Sequence, residues 1–179
     1  MVKVTRNGRS FDVADPYSER WFTRDTFQRW EPSTFKVLER YGGRGGVYID
    51  VGAWIGPTVL YSAHIFNRVV AVEADPVALQ RLETNLAANT FDNVVVVRKA
   101  LGDVDAEAVP FGGNGSLGNS ESTLLVTNPE YAEWGGRWAP AARRKHVIEV
   151  PSTTLDTLLH EVDVQPSEIR LIKIDIEGG

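Results

Sequence analysis

The sequence predicts an α/β protein built on a doubly wound, mostly parallel sheet. Three observations carry this reading. Short apolar, β-branched runs alternate with segments of helical spacing; the first run enters a glycine turn without a linker; and Val94-Val95-Val96-Val97 has no polar position, as in a strand covered on both faces by helices.

The stretch from Val47 to Asp75 organises the rest. Val47-Tyr48-Ile49-Asp50-Val51 reads as the first strand and Gly52-Ala53-Trp54-Ile55-Gly56 as its turn. Pro57 suits a first helical position, where a missing N–H costs nothing, and Val59, Leu60, Ala63 and Phe66 then predict a helix from Pro57 to Phe66. Val69-Val70-Ala71-Val72 is a second strand, ending on Glu73. A βαβ unit with a glycine turn places backbone N–H groups and a helix N-terminus at the carboxyl edge of the sheet, which is a nucleotide-type cofactor site.

Spacing within the unit separates the possible cofactors. A dinucleotide turn needs G-x-G-x-x-G, whereas only Gly52 and Gly56 are present, with Trp54 between them. Asp50 sets a negative charge where a pyrophosphate is repelled and a cationic amino-acid head is attracted. Glu73 follows at the interval used for the acid that accepts from ribose hydroxyls. The site therefore points to S-adenosylmethionine, with Asp50, Gly52, Ala53, Trp54, Gly56, Glu73 and Ala74 as contacts. A nicotinamide-dependent oxidoreductase is the alternative enzyme.

The chain has 179 residues, the size of one domain. Its 42% hydrophobic and 24% charged residues are those of an ordinary globular protein, and a net charge of −5 argues against a nucleic-acid partner. The basic cluster Arg143-Arg144-Lys145 reads as a solvated loop. The absence of cysteine excludes disulfides, thiolate metal sites and cysteine catalysis. No apolar run is long enough to span a bilayer and no signal-peptide core is seen, so a soluble, cytoplasmic protein without a membrane partner is expected.

Residues 1–31 are expected to pack as an aromatic-rich segment on a main domain of residues 32–179. Val2 to Val13 forms a hairpin around Asn7-Gly8, and Trp21, Phe22, Phe27 and Trp30 make a satellite core. Pro32 opens a helix to Tyr41, closed by Gly42-Gly43. Asp75-Pro76 caps a helix with Leu79, Leu82 and Leu86 on its buried face, and Val94 to Val97 is the third strand. Ala100 and Leu101 follow it, beside the place of a cofactor adenine. Residues 104–145 are rich in glycine, serine and proline, which predicts loop or short hairpin and a candidate substrate lid presenting Ser120-Glu121-Ser122-Thr123 and Trp134 to Trp138. Val147 to Val150 is a further strand, and Thr153 with Asp156 has the form of a capping box before Leu155, Leu158 and Leu159. From Ile169 to Ile176, isoleucines alternate with Lys173, Asp175 and Glu177, a strand expected beside the first, with its acids approaching the reactive end of the cofactor.

Asp50-Val51-Gly52-Ala53-Trp54-Ile55-Gly56, Val72-Glu73-Ala74-Asp75-Pro76, Ala100-Leu101-Gly102-Asp103, Thr153-Thr154-Leu155-Asp156 and Ile172-Lys173-Ile174-Asp175-Ile176-Glu177-Gly178 occur in one order. In this the chain, from about Glu31 onward, resembles the FkbM-type methyltransferases. The resemblance implies a Rossmann-like class I methyltransferase fold, S-adenosylmethionine as cofactor, and methylation of hydroxyl oxygens on sugars, glycans or polyketides. Trp54 departs from the family, which more often carries Asn there. The family's sheet also continues through about three more strands, so the reading is of a fold incomplete at its C-terminus, with cofactor affinity but slow turnover and an exposed edge at Ile169 to Ile176 open to self-association. A non-catalytic binding fragment is the rival of another class. In the implied displacement Asp175 is the candidate general base and Glu177 the second. No metal is expected, because two carboxylates make a poor cage and His64, His146 and His160 show no ligand spacing.

Overall fold

The computed structural model describes residues 1–113, 116–120, 122, 124 and 146–176. Strands β1 (Val2–Arg6) and β2 (Arg9–Val13) form the expected antiparallel hairpin. Asn7 and Gly8 lie at φ +48° and +78°, the two left-handed positions that a two-residue turn matching strand twist requires. Helices α1 (Pro16–Thr23), α2 (Asp25–Arg29) and α3 (Pro32–Gly42) follow. Asp15 caps α1 by accepting from the Ser18 N–H at 2.7 Å.

The aromatic residues of this segment are not a satellite. Phe11, Phe22 and Phe27 are buried in the same cluster as Tyr48, Leu60, Val69 and Leu82, and edge-to-face contacts run from Phe11 to Phe22 and to Phe27, and from Phe27 on to Phe35 and Tyr61. Rings of this size, laid over the helices, extend the main core rather than start another. Polar rivets add to it. Buried Asn85 accepts from the Ala14 and Asp15 N–H groups at 3.1 and 3.0 Å while donating to the Ile55 carbonyl at 3.1 Å. Asn89 accepts from the Asp12 N–H and donates to its carbonyl.

The main sheet holds β3 (Val47–Val51), β4 (Arg68–Val72), β5 (Val94–Val97) and β9 (Ile169–Ile174), all parallel, in the order β5-β4-β3-β9. With its flanking helices α4 (Pro57–Ser62), α5 (Pro76–Ala87) and α6 (Leu155–Glu161) it is a doubly wound α/β sheet. The chain leaves β3 toward β4 and β5, then returns to β3's other side as β9. The switch point is between β3 and β9, where a ligand crevice opens. Strands β3 and β4 are almost wholly buried, as strands between helix layers must be.

Several elements differ from expectation. Helix α4 stops at Ser62, because Asn93 Nδ2 takes the carbonyls of Ala63 and Phe66 at 3.0 Å each and the chain turns there. Strand β5 is an edge strand with Val94, Val95 and Val96 only half-buried, not covered on both faces. The region read as loop or short hairpin contains an eight-residue strand, β7 (Ala106–Gly113). It lies at one edge of a second sheet with β6 (Ala100–Leu101) and central β8 (His146–Thr153), where edge position tolerates Pro110. The helix cap belongs to Thr154, not Thr153: the Thr154 hydroxyl accepts from the Thr157 N–H, while Thr153 still pairs with Leu101 as the last residue of β8. Among the described residues, no helix is long and apolar enough to cross a membrane.

Candidate functional site

A cavity of about 280 Å³ opens at the carboxyl ends of β3, β4 and β9. Its size is near the lower end of small-molecule sites, roughly 300–1,000 Å³. Gly52, Ala53 and Trp54 of the turn form one wall, whereas Gly56, expected as a contact, is not among the lining residues. The Gly52 and Ala53 N–H groups both donate to the Val72 carbonyl, at 3.0 and 3.1 Å, which ties the turn to β4. Gly52 has φ +78°, and a Cβ there would lie 2.1 Å from the Asp175 carbonyl oxygen. The space a side chain would fill is thus occupied by the chain's own backbone after β9. Gly56, at φ +94°, starts α4, and a Cβ would press on Leu82 Cδ1 at 2.7 Å.

Trp54 is left-handed at φ +50°, a conformation that Asn adopts far more readily than Trp. The family's usual Asn fits this backbone directly. Here the indole offsets the strain: Nε1 donates to the Gly118 carbonyl at 3.1 Å, and the ring meets Trp21 edge to face at 5.1 Å. The Trp54 N–H donates to Glu73 Oε2 at 2.7 Å.

Glu73, at the end of β4, is 8% exposed and lines the cavity. Its Oε1 accepts from the Ala74 and Asp75 N–H groups at 2.9 and 2.8 Å. Burial pushes its pKa above the usual carboxylate value, and the three backbone donors offset that only in part. A carboxylate has about four acceptor positions, so roughly one, on Oε2, is left for a ligand hydroxyl. Glu73→Gln is therefore expected to destabilise the ligand-free fold by about 1–3 kcal/mol, because the new NH₂ must face a backbone N–H wherever it turns. Urea denaturation checks this; an unchanged midpoint would mean that the carboxylate does not organise the turn.

Asp50, expected to face a cofactor's amino-acid head, has a fully buried side chain and is not among the residues that line the cavity. Its carboxylate accepts from the Thr58 hydroxyl and from Lys173 Nζ, the latter at 3.3 Å. Burial holds its pKa above the ordinary aspartate value against the pull of Lys173. Lys173 in turn lies 3.1 Å from Asp175 Oδ2 and lines the cavity. Its own burial opposes the charged form, yet Asp50 and then Asp175 outweigh it and hold its pKa above that of ordinary lysine. Lys173 is the site residue that sequence reasoning missed. The signal was there: Lys173 shares a strand face with Asp175 and stands in register with Asp50 on the neighbouring strand.

Asp175 itself lines the cavity with a half-exposed carboxylate, and its N–H donates to the Val51 carbonyl at 3.0 Å. Glu177 lies outside the described residues, as do Glu121, Thr123, Trp134 to Trp138 and Arg143 to Lys145. Ala74, Ala100 and Leu101 border the cavity, and Phe111, Asn119, Ser120, Ser122 and Leu124 are the described contributions of the expected lid region. Trp21, Trp30 and Glu31 also line the cavity. Among the described residues no group of His, Asp and Glu has metal-holding geometry.

This arrangement, a glycine turn at a parallel switch point facing an acid one strand away, agrees with the sequence comparison, in which the methyltransferase FkbM domain matches residues 50–179. The chain belongs to the FkbM methyltransferase domain family. Similar solved structures include the precorrin 8w decarboxylase of Methanobacterium thermoautotrophicum (27% identity over 37% of this chain and 38% of that one, TM-score 0.33). Trm5b from Pyrococcus abyssi is 18% identical, with 82% of this chain and 54% of that chain covered and a TM-score of 0.36. A DhpI-SAM-HEP complex is 12% identical over 77% and 79%, with a TM-score of 0.32. The FkbM chain thus spans 38% and 54% of the first two structures. No curated protein matches it.

Proposed function

We propose that this FkbM domain binds S-adenosylmethionine in the cavity and methylates a hydroxyl oxygen of a sugar, glycan or polyketide-like molecule. The observation that carries the reading is Glu73, a buried acid facing the cavity with one acceptor position open, one strand from a glycine turn too closed for a pyrophosphate. The donor set suits the cofactor. Glu73 accepts from a ribose hydroxyl, Ala100 and Leu101 offer an apolar edge to an adenine, and Lys173 presents a cation to a carboxylate.

The bound sulfonium supplies an electrophilic methyl carbon. The residues of the chain supply alignment and proton acceptance. An acceptor hydroxyl would attack that carbon with the carbon–sulfur bond as the one that breaks, and Asp175, held by Lys173 at 3.1 Å, would take the hydroxyl proton. No metal enters this scheme.

Titration calorimetry with S-adenosylmethionine, S-adenosylhomocysteine and NAD tests the reading. Both adenosyl ligands are expected to bind and NAD is not. Binding of NAD without S-adenosylhomocysteine would transfer the site to the oxidoreductase alternative.

A further inference from the structure

With Asp50 sealed behind the wall, the acidic side chains bordering the cavity among the described residues are Glu31, Glu73 and Asp175. Glu73 is committed to three backbone N–H groups and Asp175 to Lys173. Glu31 is different. Among the described residues its carboxylate enters no hydrogen bond or ion pair, although it stands at the N-cap of α3, where a shorter side chain would reach the free N–H groups. Its backbone is left-handed, at φ +40° and ψ +58°, which Asn or Gly would adopt with less strain. Local structure gains no cap hydrogen bond from glutamate here. A strained residue whose side chain faces a cavity is where a functional demand overrides local preference.

The surroundings define what this acid could receive. Trp21 and Trp30, whose rings meet edge to face at 5.4 Å, border the same side of the cavity, and indole faces attract cations. Nearby charge comes from Arg6, whose guanidinium donates to the carbonyls of Phe27 and Trp30 and stacks 3.4 Å above the Phe35 ring. Lys173 borders the cavity as well. An acid among indoles and a lysine in one cavity match the two ends of a zwitterion. We propose that Glu31 receives the ammonium of the cofactor's amino-acid end, the part given above to Lys173 being its carboxylate. This rests on the S-adenosylmethionine reading. It also assigns a binding role to a residue upstream of the segment matched by the family domain.

The test compares S-adenosylhomocysteine with 5′-methylthioadenosine, which keeps the nucleoside thioether and lacks the amino-acid end. Calorimetry is run on the wild type, Glu31→Gln and Glu31→Asn, with melting temperatures measured alongside. Glu31→Gln is expected to weaken S-adenosylhomocysteine about ten- to a hundredfold, the range of a charge-assisted hydrogen bond, and to leave 5′-methylthioadenosine unchanged. Glu31→Asn is expected to lose the same affinity while its melting temperature rises, since Asn accepts the left-handed backbone. Equal weakening of both ligands, or of neither, would overturn the assignment. So would a lower melting temperature with the ligand ratio unchanged, which would make Glu31 a counter-charge for Arg6. Failure of the wild type to bind either ligand would instead remove the cofactor reading itself, and this proposal with it.

Discussion

Gly52→Ala is expected to destabilise the protein by about 2–5 kcal/mol and to abolish cofactor binding, whereas Gly8→Ala costs only about 1–2 kcal/mol. The two glycines share φ +78°, so an added methyl meets the same backbone penalty at both. Their surroundings differ. Around Gly8 nothing lies within 4 Å of the new carbon; at Gly52 the Asp175 carbonyl oxygen would be 2.1 Å away and its carbon 3.1 Å. That carbonyl has no easy retreat, because the Asp175 N–H is bonded to the Val51 carbonyl at 3.0 Å. The methyl must part β9 from the turn, moving Asp175 and Lys173 with it. Urea denaturation of both variants measures the difference, which isolates the steric part. Equal losses would show that the turn and the end of β9 are not in close contact.

Lys173→Met is expected to cost about 3–5 kcal/mol at neutral pH, because it leaves the fully buried Asp50 carboxylate without its counter-charge. The double variant Asp50→Asn/Lys173→Met should recover much of this, since neither charge then remains. The pH dependence follows from the directions of the shifts. Asp50 has a folded pKa above its unfolded value, so its protonated form favours folding; that contribution is complete below the ordinary aspartate pKa, about 4, and is lost as pH rises through the folded value. Removing Lys173 raises the folded value further. The deficit of Lys173→Met is therefore largest at neutral pH and shrinks as pH falls toward the acid range. Lys173 is also raised, and its own contribution is complete below the ordinary lysine pKa, about 10.4, and lost only above it, so it does not titrate in this window. Denaturation curves at several pH values decide the matter. A deficit constant from neutral to acid pH would exclude Asp50 as its origin.

What the sequence disclosed depended on how far each signal reached. The hairpin at Asn7-Gly8, the helix start at Asp75-Pro76 and the turn from Gly52 to Gly56 are written within a few residues, and each was readable. Lys173 and Asp50 are separated by 123 residues, and their pairing depends on which strands become neighbours and in what register. Nothing in either strand states this alone. Strand β7 was hidden by Pro110 and by Gly112, which read as loop signals. Yet an edge position accepts the first, and the second is needed because a Cβ at Gly112 would lie 1.8 Å from the His146 carbonyl oxygen. At Thr153-Thr154 two identical side chains compete for one cap, and only the pairing of Thr153 in β8 decides between them. The half-exposure of β5 likewise depends on its neighbours, not on its four valines.

The Asn85 rivet bears on the order in which the chain is made. The Ala14 and Asp15 N–H groups meet their acceptor only when Asn85 exists, 70 residues later in the case of Asp15. At about 5–20 residues per second, a ribosome takes roughly 4–14 s to cover that distance. During this interval the hairpin and the first aromatic residues, Trp21, Phe22 and Phe27, are synthesised without the helix and strands they pack on. Two strands alone are at best marginally stable in water, so the N-terminal segment docks onto the βαβ unit after that unit has formed. The N-terminal segment, made before the βαβ unit, then settles after it, and the cavity wall bearing Trp21, Trp30 and Glu31 closes only at that step.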